Sequence, residues 1–153
     1  MEIMPTNHAP DLTSRPPRSP RVRLGDYVIL PRMLDKGRAT LAGRQGEYKF
    51  DCPMDKRFLE FAGIEAEALR KQLAAGKSDW EILQWIQENS RTKPRSGDIA
   101  AWSAHQEHRV PTDPESRAFF NELHSKVAQH REDIATWFDL LDLDDYVSFG
   151  GKA

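Results

Sequence analysis

Apolar residues recur at helical spacing along most of this chain, and the positions between them are filled by charge. Leu30, Met33, Leu34, Gly37 and Leu41 fall on one arc when projected at about 100° per residue. They predict a first helix that starts at either Gly25 or Pro31 and runs to Ala42, with Gly43 as its stop. Met54, Phe58, Phe61 and Ala62 share a face after Pro53 and predict a second helix ending at Gly63. A third is expected over Glu65–Ala75, stopped by Gly76. Ser78 and Glu81 are spaced as a capping box that opens a fourth, running to Asn89. A fifth is expected over Asp98–Arg109 and a sixth over Pro114–Gln129, capped by a second box of Thr112 and Glu115. Ile134, Trp137, Phe138 and Leu141 mark a seventh inside "EDIATWFDLLDL". The stretch "RQGEYKFDCP" is too short and polar for a helix and reads as an extended loop or hairpin. The expected fold is therefore all-α, a single domain of six or seven helices over residues 25–153.

Residues 1–24 differ in kind. Prolines 5, 10, 16, 17 and 20 deny helical hydrogen bonds, so this segment reads either as a flexible tail or as an arm lying across an acidic partner. It holds four arginines (Arg15, Arg18, Arg21, Arg23) against two acids, whereas 132–145 holds six acids and no Lys or Arg. That opposition points to the arm meeting the acidic C-terminal part, in the same chain or swapped into a second copy as a homodimer. The final residues, "DDYVSFGGKA", lack helical periodicity and read as a short aromatic-glycine tail that docks on the core, flaps over a neighbouring site, or reaches a second subunit.

Composition narrows the class. With 153 residues, 39% hydrophobic and 30% charged, the chain fits a soluble globular domain, and no apolar run has the roughly 18 residues a membrane span needs. A formal net charge of −2 argues against nucleic acid as the main partner. The opening lacks the pattern of a secretory signal, and the one cysteine, Cys52, excludes an internal disulfide, so a cytoplasmic location is expected.

Asp35, Lys36 and Arg38 place three charges in the middle turn of the first helix. By projection Lys36 faces water, Arg38 borders the apolar arc, and Asp35 sits at i,i+3 from Arg38. The plain reading is an edge pair. The sharper one makes Arg38 the holder of a small anionic molecule, oriented by Asp35, since a guanidinium fork grips carboxylate or phosphate with two hydrogen bonds. In the fifth helix the inward stripe of Ile99 and Trp102 continues with His105, Gln106 and Arg109, as a pocket wall would. A polar pocket between the first and fifth helices follows as the expectation. Arg38, Asp35, Trp102, Arg109 and Tyr146 would bind the ligand, and His105 would move protons if there is chemistry. The alternative is a non-catalytic interaction module built on arm and tail. No cofactor is implied. His105, His108, His124 and His130 lack the spacing of a metal motif, and no Gly-rich phosphate loop or nucleophile elbow is present.

"RPPRSPRVRLGDYVILPRMLDKGRATLAG", "CPMDKRFLEFAGI" and "WFDLLDLDDYVSFGGKA" resemble the bacterial family catalogued as domain of unknown function 5069, from about Leu12 to Ala153. The resemblance implies a stand-alone cytosolic domain and supplies no reaction, cofactor or partner. Its motifs contain Asp35, Lys36, Arg38, Asp55, Arg57, Asp145 and Tyr146.

Overall fold

A computed structural model describes residues 9–153, and the arm's first eight residues lie outside that range. The chain forms α1 (Leu30–Leu41), α2 (Pro53–Ala62), α3 (Ala66–Ala74), α4 (Asp79–Asn89), α5 (Ser96–Glu107), α6 (Pro114–Ala128) and α7 (Trp137–Ser148). No strand occurs among the described residues; "RQGEYKFDCP" runs as turns ahead of α2. No helix of the described residues is long and apolar enough to cross a membrane. The all-α, single-domain expectation holds.

Local signals set most of the boundaries. Gly43, Gly63 and Gly76 carry φ of 69°, 67° and 80°, the left-handed conformation that ends a helix. At Gly63 the reason is also spatial, because a Cβ there would lie 2.7 Å from the Thr92 backbone nitrogen. The Ser78–Glu81 box is formed in both directions, at 3.2 and 3.1 Å. The second expected box is not. Asp113, rather than Thr112, caps α6 by accepting from the Ser116 N–H at 2.8 Å. Asp is as good an N-cap as Thr, and it stands immediately before the Pro114 that suits a first turn.

The seventh helix corrects the sequence reading more substantially. It begins at Trp137, capped by Thr136 with Asp139 bonding back, and runs through the supposed tail to Ser148. Ile134 precedes it, while Asp144, Asp145 and Tyr146 are helical. The Thr136–Asp139 box thus sets the start of the helix, and ahead of it Asp133 is bound by Arg131.

α1 is the centre of the molecule. It packs against α2 and α3, α3 packs against α4, and α6 packs against α7. Leu30, Met33 and Leu34 are fully buried with Phe58, Leu69, Leu73, Ile82, Ile86 and, from α7, Phe138. Gly37 sits where Leu73 of α3 approaches so closely that a Cβ would fall 2.5 Å from its Cδ1. A stacked pair, Phe61 and Trp102 at 4.9 Å, joins α5 to α2.

Residues 9–24 cover a further side of this bundle. The Ile29 N–H donates to the Pro20 carbonyl at 2.9 Å, and Leu12 N–H to Arg44 at 2.9 Å. Arg18 binds Asp35 of α1 and Asp79 of α4, and Arg21 binds Asp139 and Asp142 of the acidic α7. The described part of the arm thus meets the acidic segment of its own chain.

Candidate functional site

Because α1 is wrapped on nearly all sides, its charges are inside. Arg32, Lys36 and Arg38 are each less than a tenth exposed. Ionised groups taken out of water need partners, and each has found one from another part of the chain.

Arg32 and Lys36 stand one turn apart, on the face opposite Leu34. Arg32 donates to both carboxylate oxygens of Asp145, at 2.7 and 3.4 Å. Its guanidinium lies 5.4 Å over the Tyr48 ring, and the Tyr48 hydroxyl donates to the same carboxylate at 2.6 Å. Burial first, and then this hydrogen bond, push the Tyr48 phenol well above its usual range, so it stays a donor. Lys36 corrects the projection, which sent it to water. Its ammonium lies 3.0 Å from Asp55 and donates to Cys52 Sγ at 3.2 Å. Asp55 in turn accepts the Asp51 and Cys52 N–H groups at 2.9 and 3.4 Å, at the start of α2 where a negative charge is favoured.

These two networks floor a cavity of about 780 Å³, within the roughly 300–1,000 Å³ of small-molecule sites. Its walls come from four places: Tyr48 and Cys52 of the 44–52 connector, Met54 of α2, Phe119 of α6, and Leu141 and Asp144 of α7, with Phe149 just beyond it. Asp144 forms no ion pair among the described residues, and burial, then the charge of Asp145, hold its carboxyl above the ordinary value.

The residues expected to bind a ligand are dispersed. Arg38 donates to Asp79 at 2.7 Å and to the Lys77 carbonyl at 3.1 Å. Asp35 does not orient it; Asp35 accepts from Arg18. The cause is the arm, whose Arg18 outcompetes an intrahelical partner with two hydrogen bonds of its own. Trp102 and His105 do come together, beside Phe61 and Glu60 in an open groove between α5 and α2. Arg38 is turned toward the start of α4, and its bonds go to Asp79 and the Lys77 carbonyl rather than to α5. Arg109 is half-buried, has no acidic partner among the described residues, and is held below its usual value by burial and then by the charge of Arg57. Tyr146 is exposed on α7, with Gly151 N–H returning to its carbonyl at 2.8 Å.

The histidines are separate. His108 pairs with Ala104, His124 with Arg131 and His130 with Ala153 through backbone oxygens. Among the described residues no three His, Cys, Asp or Glu side chains converge as a metal site.

Sequence reasoning missed Arg32, Tyr48, Cys52 and Asp144 as site residues. One signal was available: Arg32 and Lys36 at i,i+4 place two cations on one face of the helix with no acid between them on that face.

Asp79 provides a pH test of the neighbouring network. Burial raises its carboxyl, but hydrogen bonds from Arg18 and Arg38 prevail and hold it below the ordinary 3.8. A depressed folded value means that its stabilisation is present above 3.8 and is lost as pH falls through the folded value. Asp79→Asn is expected to cost about 1–2 kcal/mol at pH 7. In urea titrations that gap should shrink steadily below pH 3.8; a gap independent of pH would assign it to packing.

Fold and site together define a small all-helical domain bearing a largely apolar cavity above two buried ion pairs. The chain belongs to the family described as Domain of unknown function (DUF5069), which it matches over residues 14–147. That span contains every polar residue of the cavity floor. Comparison with curated proteins gave no match.

Proposed function

We propose that this protein binds a small organic molecule in the cavity between α1, the 44–52 connector and α7. The observation that carries the reading is the pairing of an apolar wall with a fixed polar floor. Arg32, Lys36, Asp55 and Asp145 are all less than a tenth exposed and mutually bonded, so their polar atoms are held in place before a ligand arrives. Such preorganisation lowers the cost of binding. A bacterial cytosolic setting, implied by the family resemblance, fits a site that holds a free thiol at Cys52.

Filling the cavity tests this. Leu141→Trp, from α7, and Met54→Trp, from α2, are expected to keep a cooperative thermal transition and to abolish the melting-temperature increases that a metabolite panel produces in the wild type. A ligand at a hundredfold excess over its Kd contributes about 2.7 kcal/mol to the wild type. Increases that persist in both variants would place binding elsewhere and overturn the reading.

A second, anionic ligand is favoured by one observation, the half-buried Arg109, which has no acidic partner among the described residues and feels the charge of Arg57. Inorganic phosphate should raise the melting temperature of the wild type and leave Arg109→Gln unmoved. An equal rise in both would remove Arg109 from this role.

A further inference from the structure

The cavity's charges are unevenly settled. Arg32 is matched by Asp145 and Lys36 by Asp55, each pair buried and within hydrogen-bonding distance. At the mouth, Glu47 and Lys49 are both exposed and of opposite sign. Asp144, half-buried on the same lining, forms no ion pair among the described residues: Ser148 hydrogen-bonds its carboxylate, and Arg32, which also lowers its charge cost, is itself engaged by Asp145.

Resting on the cavity reading above, we propose that the occupant is an organic cation, an ammonium group on an apolar body, whose charge is met by Asp144. The walls suit such a molecule. Leu141 and Met54 offer apolar surface, and Phe119 and Phe149 add aromatic rings at the same cavity. Ring faces attract ammonium groups, most strongly where water is excluded. An anion would find the opposite. Its only deep counterions are Arg32 and Lys36, so it would have to break a buried ion pair while facing Asp144, and both steps cost energy.

The state of Asp144 supports this assignment. Burial and the neighbouring Asp145 oppose its ionisation, and a cation seated beside it would relieve that opposition. Without ligand the charge is a liability. A folded value raised above the unfolded one means that stability declines as pH rises between the two, with the full penalty present above the folded value. Asp144→Asn removes that penalty, so this variant is expected to fold and to melt higher than the wild type at pH 7. The advantage should disappear below pH 3.8, the ordinary value, where both states are protonated.

The experiment is calorimetric titration with four probes of one shape: benzyltrimethylammonium, benzylamine, benzyl alcohol and benzoate. Wild type, Asp144→Asn, Leu141→Trp and Met54→Trp are titrated at pH 7, and only binding lost in both tryptophan variants is assigned to the cavity. The expected result is cavity binding by the two cations at least tenfold tighter than by the alcohol, none by benzoate, and a tenfold or greater weakening of the cations in Asp144→Asn. Preference for the alcohol or benzoate, or cation affinities unchanged in Asp144→Asn, would overturn the cation and leave the cavity standing. Absence of cavity-dependent binding by all four would overturn both.

Discussion

Replacing Asp55 by alanine is expected to destabilise the protein by about 3–5 kcal/mol, because it leaves the Lys36 ammonium buried and unpaired. Asp55 is 0% exposed and Lys36 4%, so water cannot take the place of the lost carboxylate without the fold opening. The same substitution strips two backbone N–H groups of their acceptor at the start of α2. At about 2–4 °C per kcal/mol for a domain of this size, the melting temperature should fall by about 6–20 °C. The double variant Lys36→Met/Asp55→Leu tests the cause. Removing both charges and filling the space should recover most of the loss, since a buried pair is often no better than well-packed apolar groups. Urea denaturation of the single and double variants, compared at equal m-value, makes the measurement. A double variant as weak as Asp55→Ala would show that the α2 start, and not the orphaned cation, dominates.

Phe58→Ala should cost a similar amount, about 3–5 kcal/mol, for a different reason. Phe58 is fully buried, edge-on to Tyr27 at 5.1 Å and near Trp102 at 6.3 Å. Deleting the ring opens a cavity where α2, α5 and the segment before α1 meet, lined by the bulky rings of Tyr27 and Trp102, which limits collapse. Trp102 fluorescence should change in the folded state, while Trp80, 62% exposed on α4, should not contribute to the change. A loss under about 1 kcal/mol would mean that the neighbours close the space, contrary to the close packing described.

Both predictions concern residues whose importance depends on distant contacts, and this is where legibility in the sequence changes. Helix ends were readable because they depend on a residue and its near neighbours. Pro31 and Pro53 at first turns, left-handed glycines at 43, 63 and 76, and the Ser78–Glu81 box each act over a few positions. The misreadings at α6 and α7 were also local. Asp113 prevailed over the adjacent Thr112, and helix propensity alone does not choose between neighbouring caps, while the Thr136–Asp139 box set the start of α7 after Ile134. The apolar arc of α1 was likewise legible, since Leu30, Met33 and Leu34 are all in the core.

The other face of α1 was not. Projection divides a helix into an inside and an outside, which suits a helix covered on one side only. Here the arm, the 44–52 connector and α7 cover the face that polarity assigned to solvent. Arg38 and Asp35 therefore serve the Arg18–Asp79 network, and the binding site proposed above lies instead at the cavity over Arg32 and Lys36.

By itself, then, the sequence determined an all-helical domain, where most of its helices start and stop, and which faces are apolar. These follow from backbone sterics, local capping and periodicity. Only the tertiary structure decided which charges are buried, which acids answer them, and where a cavity remains. Arg32 meets Asp145 across 113 positions, and Tyr48 meets it across 97. No residue's immediate neighbours encode such a pairing, because it is the packing of whole helices that removes both groups from water and makes each the other's partner.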